Sequence, residues 1–194
     1  MDMSAIQQLN FLDIVILILL FRICYIAVKT GLAIELFKLL GVLFAIYIAS
    51  HYYTSLSDIV QSRYIPPKTV PLEFVDFITF VILALICYLG FVLLRSTFYR
   101  FMKMEAAPKL NKYGGLILGL VRGYFTVGLL VYVLMISSVS YLSSSVKHSY
   151  LGSRASSISA ETYNWIWGSI FSKFSPQEKP NSVVNEVRDN FAKK

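Results

Sequence analysis

Four apolar runs constrain this chain more than any other feature. They lie at Leu9–Val28, Leu32–Tyr53, Leu72–Leu94 and Gly115–Leu142. A helix needs about 20 apolar residues to cross a bilayer, and each run is long enough. Between them they use most of the first 142 residues of a 194-residue chain. Charged residues make up only 15% of the sequence, against roughly a quarter in soluble domains. A soluble globular fold and a disordered chain are both excluded. The expected architecture is an all-α polytopic membrane protein with four transmembrane helices at residues 1–142. A Ser-rich linker and an amphipathic tail follow at 143–194.

Connections between the runs predict the local order. Only Lys29-Thr30-Gly31 separates the first two, so they are expected to form a tight antiparallel hairpin with Gly31 at a positive φ. After Tyr53, Leu56, Ile59 and Val60 repeat at helical spacing, and Pro66, Pro67 and Pro71 then forbid a helix. A short interfacial helix and a turn are expected there. The start of the chain carries no Lys or Arg before its first apolar run, so it reads as a retained helix and not a secretory signal.

The net charge of +7 points to a membrane surface, because the basic residues flank apolar runs; a nucleic-acid partner is not expected. Four basic residues, Arg63, Lys68, Lys147 and Arg154, border the side that holds both termini. Six border the other side: Lys29, Arg95, Arg100, Lys103, Lys109 and Lys112. The positive-inside rule then places both termini outside the cytoplasm. Cys24 and Cys87 sit singly in apolar runs and read as core residues. His51 and His148 have no neighbours at ligand spacing, so neither a metal nor a cofactor is expected.

Charges within the runs need a reason, since insertion of one at mid-membrane costs about 2.5–3.5 kcal/mol. At 1.5 Å rise per residue, Arg22, Glu35, Lys38 and Arg122 fall within one shallow layer near the Gly31 turn. Glu35 can pair with Lys38 at i, i+3 or reach Arg22 across the hairpin. Snorkelling of the long stems explains the cations; a small site for an anionic phospholipid or solute is the alternative. At the opposite face, Asp13, Glu73 and Asp76 form an outer acidic group. Acids suit a helix N-terminus, with Asn10 a cap for the first helix; proton or cation binding is the alternative.

The fourth run carries five of the ten glycines within fifteen residues. Gly115, Gly119 and Gly123 recur every four residues, a stripe on which another helix, from this chain or a second copy, can approach closely. In the tail, Tyr163, Ile166, Trp167, Ile170, Phe171 and Phe174 share one helical face, with Ser159 as a cap and Glu161 in the first turn. Its two tryptophans point to the lipid interface; packing on an extension of the fourth helix is the competing expectation. Val184, Val187 and Phe191 indicate a last short helix, fraying at Lys193-Lys194. The sequence has no phosphate-binding glycine loop, G-x-S-x-G, His-Glu-x-x-His or Cys-x-x-Cys, so an enzyme is not expected.

Asn10-Phe-Leu-Asp13, Lys29-Thr-Gly31 followed by Glu35, Gly41, and Asn111-Lys-Tyr-Gly114-Gly115-Leu-Ile-Leu-Gly119-Leu-Val-Arg122-Gly123 together form a pattern over residues 10–142. It resembles the colicin V production (CvpA) family of bacterial inner-membrane proteins. The resemblance implies family-typical roles for Asn10, Asp13, Gly31, Glu35, Gly115, Gly119, Arg122 and Gly123. Lys29-Thr30 departs from the more basic turn usual in the family, and the Ser-rich tail follows no family pattern. The implied function is a non-enzymatic accessory or scaffold factor tied to toxin production and envelope maintenance. Its partners would be the lipid bilayer, including anionic phospholipid, and a membrane protein or a second copy. A small oligomeric channel or transporter lined by Arg22, Glu35 and Arg122 is the alternative.

Overall fold

The computed structural model describes residues 10–64, 70–101, 108–175 and 177–192. The expected turn at Pro66-Pro67, Lys68, Lys103, Pro176 and the fraying at Lys193-Lys194 lie outside the described residues. The fold is all-α and polytopic, with no strand among the described residues. Four helices are long and apolar enough to cross a membrane: α1 (Phe11–Thr30), α2 (Leu32–Tyr64), α3 (Leu72–Phe101) and α4 (Pro108–Met135). The tail adds α5 (Ser140–His148), α6 (Tyr150–Ala155), α7 (Ile158–Ile166) and α8 (Ser182–Ala192).

Local chemistry sets the helix ends. Asn10 caps α1: its Oδ1 accepts from Phe11 N at 2.7 Å, while Asn10 N donates back to Asp13 Oδ2 at 2.8 Å. Gly31 stops α1 with φ +83°, where an L side chain is strained. The helix α2 runs for 33 residues, roughly 50 Å at 1.5 Å per residue. That exceeds a hydrocarbon core of about 30 Å, so α2 must tilt or project beyond it. The separate interfacial helix expected after Tyr53 is therefore corrected. No Gly or Pro interrupts 54–64, and the second span continues through it. The fourth span ends at Met135 rather than Leu142, because Ser137 Oγ accepts from Val139 N at 3.2 Å and diverts the backbone.

The packing order is not the chain order. The central α2 packs on α3 and on α4, and α1 packs chiefly on α4. Thus α1 and α2 share a junction but little of their length, in place of the expected close hairpin. The reason lies in α4, whose glycines let it nest against α1. Large apolar side chains such as Phe11, Ile18, Phe21, Leu85, Leu93 and Ile117 remain exposed, the surface that lipid covers.

The tail folds back onto the bundle. The helices α5 and α6 pack on α1 and α4, while α7 packs on α2 and α4. Tyr163, Ile166 and Trp167 are buried in the main core with Ala45, Tyr53, Phe80 and Tyr132. The expected lipid-interface placement of these three is thus corrected to packing on the bundle. The segment Trp167–Phe171 is π-helical, and its wider turn rotates the rest of the face. Phe171 still stacks on Tyr47, with centroids 4.0 Å apart, but Ile170 and Phe174 turn outward at 44% and 81% exposure. Ser159 is not the cap expected; Ser157 holds that position, without a side-chain cap bond, and Ser159 is buried within the first turn.

Candidate functional site

Where α1, α2 and α4 meet, the bundle closes around one carboxylate. Glu35, in the first turn of α2, is 0% exposed. Its Oε1 accepts from Lys38 Nζ at 2.6 Å and from Thr30 Oγ1 at 2.6 Å. Its Oε2 accepts from Arg122 Nε at 2.8 Å. Arg122 itself is 8% exposed. Two cations thus face one anion, and the cluster ties the end of α1, the start of α2 and the middle of α4.

Glycines make this approach possible. A Cβ on Gly115 would lie 2.8 Å from the Ala27 carbonyl oxygen and 3.1 Å from the Gly31 backbone. A Cβ on Gly119 would strike the Ala27 methyl and sit 3.8 Å from Glu35 Oε2. On Gly123 it would meet Leu20 at 2.9 Å. The stripe therefore packs α4 on α1 of the same chain. Asn111 completes the junction, its Oδ1 accepting from Leu32 N at 2.8 Å and so capping α2.

Of the four charges expected in this layer, Glu35, Lys38 and Arg122 come together. Arg22 does not. It lies exposed, and among the described residues Glu35 pairs with Lys38 and Arg122 only. Rise per residue gives depth but not azimuth, and Arg22 points away from the α4 contact that Ala27 and Ile23 make.

The outer acidic group also divides. Asp13 is fully buried, its Oδ1 accepting from Ser149 Oγ and Leu151 N, each at 2.7 Å. Its Oδ2 takes Asn10 N and, at 3.2 Å, Tyr150 N. This carboxylate closes the turn between α5 and α6 against the start of α1. Glu73 and Asp76 instead line a separate crevice of about 280 Å³ with Tyr53, Ser137 and Val183. Asp76 accepts from Ser57 Oγ. No three His, Cys, Asp or Glu among the described residues are placed to hold a metal ion.

A third polar node was not expected. Tyr163 OH lies 2.9 Å from His51 Nδ1 and accepts from Asn181 N at 2.8 Å. Burial pushes the Tyr163 phenol up from its ordinary range. Asn181 Nδ2 donates in turn to Ser50 O at 2.8 Å. His51 stacks on Trp167 with centroids 5.1 Å apart. The node holds α7 and the approach to α8 against α2. Thr30, Asn111 and Ser149 were likewise missed as site residues. Asn111 stands in the glycine-rich stretch itself, and Thr30 lies five residues before Glu35 across the turn; Ser149 offers no comparable signal.

These arrangements join helices. The two fully buried carboxylates, Asp13 and Glu35, have both oxygens engaged by donors from at least two elements, and such a buried group fixes register. No curated protein and no solved structure matches the chain. A family profile described as Colicin V production protein matches residues 12–173. The match takes in Asp13, the Glu35 cluster, the glycine stripe and the tail through α7, past the residue 142 at which the resemblance ended. This chain belongs to the colicin V production family.

Proposed function

We propose that this membrane protein is a non-enzymatic accessory or scaffold factor of the bacterial inner membrane, serving toxin production and envelope maintenance. The observation that carries the reading is the state of Glu35. It is sealed from the surface and bonded to Thr30, Lys38 and Arg122. A carboxylate so engaged fixes three helices and has no oxygen left for a substrate. Both termini lie on the periplasmic side, as the excess of basic residues around the Gly31 end supports. The surrounding bilayer and a membrane-protein partner or second copy meet the exposed apolar faces of α1 and α3. The channel reading needs Arg22, Glu35 and Arg122 to line one path; the exposure of Arg22 and the closure of Glu35 favour the scaffold.

The test is complementation in a colicin V-producing bacterium that lacks its own copy. The wild-type chain is expected to restore toxin release and detergent tolerance, and a reporter fused after Lys194 is expected to be active only if it functions in the periplasm. Selective solute flux in liposomes, abolished by Glu35→Gln, would replace the scaffold with a channel.

A further inference from the structure

An open groove of about 330 Å³ runs between α1, α4 and the α6–α7 segment. Ile16 and Leu20 of α1, Tyr124 and Val127 of α4, and Leu151 of α6 line it, and Arg154 stands on its wall. Ile16 and Leu20 lie three and seven residues past Asp13, roughly 5 and 10 Å deeper along the helix. The groove therefore starts near the Asp13 end of the bundle and descends among residues that face lipid. Its outer rim is exposed: Tyr124 is half exposed, and so is Leu120 beside it.

An apolar groove of this size gives water nothing to bond. Left empty, it would forfeit the dispersion contacts of every wall residue. A hydrocarbon chain from the adjoining leaflet satisfies both conditions. The single cation selects which lipid supplies it. The Arg154 guanidinium lies 4.1 Å over the Tyr150 ring, directed back toward the start of α6. That is the level of Asp13, whose backbone donors include Tyr150 N and Leu151 N. Among the described residues Arg154 has no carboxylate partner. Asp13, the nearby acid, already accepts four hydrogen bonds. A planar guanidinium with open donors at headgroup level matches a phosphate. Lys147, whose ammonium sits 4.9 Å over Phe191, adds positive charge from the end of α5.

We propose that this groove is a binding site for an anionic phospholipid, with one acyl chain between α1 and α4 and the phosphate on Arg154. The site lies on the Asp13 side of the membrane, away from the Glu35 cluster, and does not depend on the scaffold reading.

Native mass spectrometry of the full-length protein in detergent tests it, with dioleoyl phosphatidylglycerol and dioleoyl phosphatidylcholine as competing probes. Wild type is expected to retain phosphatidylglycerol in preference. Arg154→Gln should lower that retention roughly ten-fold, the scale of one charge-assisted contact, while Arg154→Lys keeps most of it. Leu120→Trp, at an exposed rim position that tolerates bulk, fills the groove and should reduce retention of both lipids. Circular dichroism confirms that each variant is folded. Unchanged preference in Arg154→Gln, or unchanged retention in Leu120→Trp, overturns the site. Loss of a dimer in Leu120→Trp with lipid retention intact also overturns it, and assigns the groove to a second copy.

Discussion

Removing Glu35 should cost far more than an ordinary polar contact between membrane helices. Hydrogen bonds between such helices average about 0.6 kcal/mol. Breaking a buried ion pair by deleting one partner costs about 3–5 kcal/mol, because the other charge is stranded. Glu35 belongs to the second class, since it is fully buried and, among the described residues, is the carboxylate with which both Lys38 and Arg122 pair. Lys38 retains some access to the surface, and its stem can carry the ammonium outward. Glu35→Met is therefore expected near the lower end, about 3 kcal/mol. Arg122→Met leaves Glu35 bonded to Lys38 and Thr30, so about 1–2 kcal/mol is expected. The double variant removes the stranded charge along with the pair and should cost less than the two single changes together, with a coupling of about 2–3 kcal/mol. Unfolding in detergent, followed by Trp165 and Trp167 fluorescence, measures all four corners of the cycle. A coupling at or below about 0.6 kcal/mol would refute the reasoning. The charges would then be independent snorkelling groups that happen to share a depth.

Three further expectations follow from the contacts. Gly115→Ala forces a methyl against the Ala27 and Gly31 backbone and should destabilise by about 1–3 kcal/mol; Gly90→Ala meets open space and should stabilise by up to about 1 kcal/mol, both read from the same unfolding assay. Tyr163→Phe removes the acceptor for Asn181 N and the partner of His51, and should cost about 1–2 kcal/mol. Limited proteolysis should then cut ahead of α8 more readily; an unchanged cleavage rate would show that the Asn181 side-chain bonds to α2 and the aromatic stacking hold the tail without the Tyr163 hydroxyl.

What the sequence made legible was what depends on one element at a time. Apolar run length predicts four spans, Gly31 marks the break between the first two, and the four-residue spacing of Gly115, Gly119 and Gly123 marks a close-packing face. Depth was also readable, since it needs only the helical rise. Which charges meet was readable only for Glu35 and Lys38, three residues apart on one helix; between helices, pairing depends on how each is rotated about its axis. Arg22 and Arg122 share a layer, but only Arg122 lies on the face that the glycines bring to Glu35. Asp13 carried still less signal: its partners Ser149, Tyr150 and Leu151 are 136 to 138 residues away. The tail was misread for a related reason. Tryptophan marks an interface only if nothing else covers it, and α2 covers Trp167 through His51, whereas Trp165 remains 64% exposed.

The positions of the two buried carboxylates bear on why such costly groups stand in an apolar protein. Thr30, the hydroxyl partner of Glu35, lies seventeen positions after Asp13. At 1.5 Å rise that is roughly 25 Å, close to a hydrocarbon thickness of about 30 Å. The stretch between them contains the Leu20, Ile23 and Ala27 contacts with the glycine stripe and no buried charge. Apolar packing in lipid sets little of the register between helices, because lipid tails are as apolar as the helix faces. A polar lock at each end supplies what the middle lacks: α1 cannot slide or turn along α4 without pulling Thr30 from Glu35 and Asp13 from the α5–α6 turn. The family-typical residues of this chain therefore read as determinants of shape. The surfaces proposed here for lipid and a partner lie outside that set, on the exposed faces of α1 and α3 and at the mouth of the Arg154 groove.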